Sequence, residues 1–238
     1  MLNKILAALL VLSPAAALAS VGKVVALEGK GTRTPDGGGA AVALKVGTEI
    51  ELKDTLKVSG GGLKFELNDG SQIALADKSE LVVDDAQFEG QDCKSFLGTL
   101  KAGSLWTHVK KLLGGSKYEV KTERAVAGVR GTIFRIDADT LIKAAQGRHA
   151  TVVRVAEGVV RVNPSAAIAK TMKAQTKPGE RKQVPGPKEI TADEWEAKFV
   201  ELAAGQDFAV GADLWENAQL VEAQKNDAFS KWLDKNGK

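Results

Sequence analysis

Side chains able to do covalent or metal chemistry are few in this chain of 238 residues, and their spacing does not assemble them. The two histidines, His108 and His149, lie outside HExxH or any other zinc-ligand spacing. No GxSxG elbow is present, and Cys93, the one cysteine, carries no nucleophile signature around it. One cysteine cannot close an internal disulfide. In the polar run from Glu89 to Phe96 it reads as a tolerated loop residue, preferred over a reactive thiol or an intermolecular bridge. Asp84 and Asp85 are adjacent, so on a strand they face opposite ways. Asp137 and Asp139 make a poor metal site, and Asp69-Gly70 suits a tight turn. The glycine runs Thr34–Gly39 and Ser59–Gly62 lack the phosphate-cradling patterns and read as turns or loops. A glycosidase pair stays open on spacing alone, with nothing to single out its acid and base. The expectation is a protein that is not an enzyme, with no catalytic residues, no metal and no cofactor.

Binding chemistry is better represented. His108-Val109-Lys110-Lys111, with Lys117, Lys121 and Arg124 nearby, forms a local basic cluster. Gly128-Val129-Arg130-Gly131-Thr132 offers a further cation between two glycines. Lys110, Lys111, Arg124 and Arg130 are therefore the candidate contacts for an anionic glycan, a lipid headgroup or an acidic partner, against the plainer reading of solvated charges. In the last fifty residues Trp195, Phe199, Trp215, Phe229 and Trp232 are candidate docking anchors. Packing within the chain is the preferred reading for them.

Most of these residues must be held by strands. From Val21 to Val162 apolar side chains alternate with polar ones, as in Leu63, Phe65 and Leu67, and in Phe134 and Ile136. Breaks of Gly, Asn, Asp and Ser every 8–12 residues or so predict a sandwich, a barrel or a short β-solenoid. Residues 164–189 read as a basic, proline-containing linker with a net charge of +4; part of it, around Ala166 to Lys173, suits a helix. Residues 190–238 carry a net charge of −5 and read as an amphipathic helical tail. One helix is expected from a Thr191/Glu194 capping box, and a second from about Asp213 to Leu233. At the other end, Lys4, the apolar run from Ile5 to Leu12 and Ala17-Leu18-Ala19 predict a cleaved signal peptide over residues 1–19. The expected location is thus the periplasm or the exterior. The mature chain would have no transmembrane segment, and its near-neutral balance gives no reason to expect nucleic acid.

Ordered pieces of the β segment resemble the FecR domain family. Asp54-Thr55-Leu56 resembles its "GD…L" unit, and Leu63 to Ser71 its strand and Asp-Gly-Ser turn. Leu100 to Leu105, Ala127 to Phe134 and Thr151 to Val160 follow in the family's order, within a body of residues 20–163. The resemblance implies an all-β, stacked-sheet fold without catalysis. It also implies a role in envelope signalling, where better-known members relay a signal from an iron-siderophore receptor to a sigma factor. Those members span the membrane; this chain is expected to open on a cleaved export signal instead. The expected function is a periplasmic binding, signalling or scaffold module whose partner is another envelope protein. A glycan- or cell-wall-associated module is one alternative, and an enzyme with an unrecognised site is the last.

Overall fold

The alternation seen in the sequence becomes strand after strand in the computed structural model, which describes residues 20–142, 147–174, 199–218 and 226–236. Sixteen strands and two helices fall among these residues. The long first strand β1 (Ser20–Thr34) pairs antiparallel with β2 (Val42–Ala43), β3 (Glu49–Glu51) and β4 (Thr55–Leu67). Through β4 it joins a continuous curled sheet. On one side of β4 come β6 (Glu80–Glu89), β7 (Asp92–Ala102), β9 (Lys117–Lys121), β10 (Ala125–Val129) and β13 (Val159–Pro164). On the other come β5 (Gln72–Leu75), β8 (Ser104–His108), β11 (Ile133–Ile142) and β12 (Arg148–Glu157). All pairs are antiparallel except β7 with β9.

The two wings face each other because their inner rows are apolar. Phe65, Leu75, Leu105 and Phe134 belong to the same buried cluster as Leu81, Phe96, Val120 and Val160 of the opposite wing. Tyr118 of β9 stacks on Phe96 with ring centroids 4.6 Å apart and shares a buried 2.9 Å hydrogen bond with Thr107 of β8, across the core. Burial pushes the Tyr118 phenol well up from its usual range, so it stays a neutral structural group. β4 serves both wings: Thr55–Lys57 pairs with β6, and Leu63–Glu66 with β5. The Ser59–Gly62 run, expected to be a loop, is instead a bend inside this strand, where β1 and β4 both lose register.

The tail departs further from expectation. Among the described residues 199–218 there is no helix. β14 (Val200–Ala203) adds to β13, β15 (Asp207–Val210) adds to β12, and β16 (Trp215–Asn217) adds to β15. The helical spacing of Phe199 and Leu202 was coincidental, and the free edges of β12 and β13 supplied backbone partners that outweighed it. Consecutive β14 and β15 therefore tie the two ends of the sheet together. Of the second expected helix, residues 213–218 are not helical, residues 219–225 lie outside the described residues, and Ala228–Asn236 forms α2, while Ala166–Ala174 in the linker forms helix α1. Residues 1–19 and Trp195 lie outside the described residues.

Cys93 is a second correction. It sits in β7, not in a loop, and is 3% exposed. Burial, with smaller contributions from Asp69 and Asp85, raises its thiol to about 12, so the thiolate is suppressed at neutral pH.

Candidate functional site

Three turns at one end of the wings bring most of the candidate cations together. The segment after β8 carries Lys110 and Lys111, the β10–β11 turn carries Arg130, and the β12–β13 turn carries Glu157 and Gly158. The turns are nested through backbone contacts. Val109 N–H donates to the Thr132 carbonyl at 2.9 Å, and Thr132 Oγ1 donates to the Val159 carbonyl at 3.1 Å. Two glycines permit this closeness. Gly131 has φ +71°, and a Cβ there would lie 3.0 Å from Lys111 Cα. Gly158 has φ +84°, and a Cβ there would lie 2.9 Å from the Gly131 carbonyl oxygen.

The resulting cleft is about 450 Å³, lined in part by His108, Lys110, Lys111, Arg130 and Glu157. Arg130 also borders a neighbouring cleft of about 350 Å³ with Lys117, Val159 and Arg161. Among the described residues, no carboxylate forms an ion pair with Lys110, Lys111, Lys117 or Arg130. Exposed apolar side chains flank the cations. Val159 is 52% exposed and Leu113 54%, and Phe199, 41% exposed, lies under the Arg161 guanidinium at 4.2 Å. Arg124, the fourth candidate, is placed elsewhere. At the far end of β10 it pairs with Asp139 at 3.2 Å and donates to the Ala138 carbonyl. Asp139 also meets His149 at 3.0 Å, and Arg135 and Arg154 hold Asp137, so both carboxylates of the Asp137–Asp139 run have partners within the chain.

A second charged site went unnoticed in the sequence. On the outer face of the β5–β8–β11–β12 wing, register places Lys64, Ala74, Trp106, Arg135 and Arg154 in one cross-strand row. Arg135 is buried and donates through Nε to Asp137 at 2.8 Å. Its other two nitrogens grip Asp227 at 2.9 and 2.5 Å, just before α2. Arg154 reaches the other oxygen of Asp137 at 2.9 Å. Asp227 also caps α2 by accepting the Ser230 N–H at 2.8 Å. Burial by itself would raise the Asp227 carboxyl. The Arg135 fork and the Ser230 hydrogen bonds outweigh it and pull the group down to about 2.

Along α2, Phe229 packs on Ala74 and Ala76, and the Arg135 guanidinium lies 5.0 Å from its ring. Trp232 lies flat on Gly62, where a Cβ would stand 2.7 Å from the indole. At the helix end, Lys64 Nζ donates to the Asn236 carbonyl at 2.9 Å. Of the remaining tail aromatics, Trp215 packs edge-on against Phe208 at 5.0 Å. Two signals could have exposed this site: charges on the buried strand Phe134-Arg135-Ile136-Asp137, and Asp227 as the cap of Ala228-Phe229-Ser230. The long helix drawn through Asp213–Leu233 concealed that cap.

Among the described residues no cluster of His, Cys, Asp and Glu could hold a metal ion, and no helix is long and apolar enough to cross a membrane.

No curated protein matches the sequence. In fold, the chain is similar to two crystal structures of a candidate anti-sigma factor from Parabacteroides distasonis, at 2.50 and 1.65 Å resolution. Identity is 18% and the TM-score 0.47 for each, with 75% of this chain covered and 63% or 64% of theirs. The chain thus spans less than two thirds of those proteins, and a likeness this loose carries no functional argument. The family comparison is more specific: residues 54–161 match the model described as FecR protein. That stretch runs from the start of β4 into β13 and includes all three turns of the basic cleft, and it is a FecR domain.

Proposed function

We propose that this chain is an exported, non-catalytic binding and signalling module of the bacterial envelope, and that it engages an acidic surface of a partner protein through the cleft around Arg130. One observation carries the reading. Lys110, Lys111, Lys117 and Arg130 converge on adjoining clefts without a carboxylate partner among the described residues. Cations without an ion-pair partner among the described residues are available to steer and orient a partner of opposite charge, although Glu119, Glu157 and Glu201 also line the clefts. The exposed Leu113, Val159 and Phe199 around them favour a protein over a bare polyanion, because protein interfaces combine arginine with apolar anchors. Export rests on the leader-like start of the sequence, and envelope signalling on the FecR domain.

A photo-crosslinking residue in place of Leu113, in the full chain in its native cell, tests this. The expected result is one discrete adduct with an envelope protein, lost when Lys111 and Arg130 are both changed to Glu. Adducts that survive the charge reversal, or a diffuse ladder, overturn the proposal. The alternative, an acidic envelope glycan, draws on the lysine content of the cleft. It is favoured if the protein is retained on acidic polysaccharide at low salt whether or not Leu113 is present.

A further inference from the structure

We propose that the face beneath α2 is a receptor for helices. In this reading the chain's own tail occupies it as a displaceable resident, and an amphipathic helix of a partner protein takes its place. The partner helix opens on an acidic cap and carries aromatic side chains two and five positions later, as in Asp227, Phe229 and Trp232.

The face is built to the measure of such a helix. Lys64 and Arg135 lie on the same cross-strand row with β5 and β8 between them, so they are separated by three strand spacings, or about 14 Å. A helix of nine residues, the length of α2, is about 13.5 Å long. One end of the row therefore meets the cap and the other meets the last carbonyls. The polarity matches: a lysine sits at the carboxyl end, where the helix dipole favours a cation, and the arginine fork takes the carboxylate at the amino end. Between them Gly62, Ala74 and Ala76 make a flat floor for aromatic rings.

The resident does not cover the face completely. A cleft of about 580 Å³, open to solvent and lined by Gly61, Ala76, Arg135, Phe229 and Trp232 among others, runs alongside α2 on the sheet. Trp232 Nε1 is buried with no hydrogen-bond partner among the described residues. A helix this short is not stable alone, so its order depends on docking. The tether holds it in place by effective concentration. A free helix that also covers the cleft or satisfies the indole N–H would compete with it.

The test uses the full-length protein and a labelled synthetic peptide of residues 226–238. The amides of α2 are expected to exchange hydrogen through local opening, faster than those of β11, and the peptide is expected to bind. Asp227→Asn loosens the resident but leaves the receiving face intact, so it should tighten peptide binding at least tenfold. Trp232→Ala, which loosens the resident by a separate route, should do the same. Asp213→Asn, altering a tail carboxylate paired with Arg148 at the surface, should change nothing. The proposal is overturned if the peptide fails to bind all of these proteins, or if the α2 amides exchange only with global unfolding. It is also overturned if the loosened variants exchange helices between copies as a dimer and exclude the peptide.

Discussion

The protein treats its cations in two opposite ways. At the turns around Arg130, four basic side chains face open clefts without an ion-pair partner among the described residues. Under α2, Arg135 is buried, forked onto two carboxylates and covered by an aromatic ring. Both regions lie on the same sheet, near the start of β11: Arg130 stands just before that strand and Arg135 is its third residue. The difference lies in what each asks of its charge. A buried guanidinium must have its partners supplied by the fold, or folding bears the full cost of desolvating it. An exposed one can be left for a partner that arrives later. The buried network thus has its partners supplied from within the chain, by a helix that a competitor would have to displace, whereas the open cluster has none among the described residues.

The comparison is broken most directly by deleting one arginine from each region. Arg135→Ala leaves Asp137 and Asp227 without their shared partner and should cost about 3–5 kcal/mol in urea unfolding. Arg130→Ala should lie within about 0.5 kcal/mol of the parent. Equal losses would mean that the open cluster is structural after all.

The second effect is smaller and concerns the scaffold of the cleft. Gly158→Ala must adopt φ +84° and bring a Cβ to 2.9 Å from the Gly131 carbonyl. About 1–3 kcal/mol of stability should be lost. The cations themselves should remain dispensable for folding while the glycines beneath them are not. Thermal unfolding of the glycine and lysine variants side by side measures this.

How much of this division could be read beforehand follows from where each region sits. The strands were legible because each presents one inner row to the core, as in Leu63, Phe65 and Leu67. Lys110, Lys111 and Arg130 were legible as cations, but their convergence was not, because it depends on which turns the sheet brings to one end. Arg124 shows the limit. Nearness in sequence to the cluster placed it there, but a strand length separates it from Arg130, and Asp139 claims it. The seam under α2 was hidden for a different reason. Alternation marks one buried face, whereas this wing is buried on both. The signal lay in adjacent apolar residues, Ile73-Ala74-Leu75-Ala76 and Val152-Val153, which a period of two does not accommodate. The tail strands could not be inferred locally, since β14 and β15 exist because β13 and β12 offer edges far away in sequence.

Acid should separate the two regions next. The Asp227 carboxyl lies below its unfolded value when folded, so its contribution is complete above the unfolded pKa, near 3.8. That contribution is lost as pH falls through about 2. Its side chain is 31% exposed, so solvent screening trims the effect. Between about pH 5 and pH 2, α2 should release before the sheet unfolds. This would appear as faster exchange of its amides and a change in Trp232 fluorescence against a Trp232→Phe control. The basic cleft has no such carboxylate partner and should show no matching transition. Release of α2 only together with the sheet would mean that the seam is an integral part of the core.

Salt should produce the smallest change in stability and the most selective change in binding. Exposed charges interact over a Debye length of about 10 Å at 0.1 M salt, against about 3 Å at 1 M. Raising salt should therefore weaken capture of an acidic partner at Lys110, Lys111 and Arg130, mainly by slowing association. The Arg135 fork is short and buried, so the same salt should barely move the unfolding midpoint. A crosslink yield at Leu113 that falls with salt while the midpoint stays fixed would tie binding to the open cations. If the two fell together, the cleft and the fold would share one electrostatic source. Lys111→Glu with Arg130→Glu would then have to destabilise the protein as well as release its partner, which the exposed position of both side chains argues against.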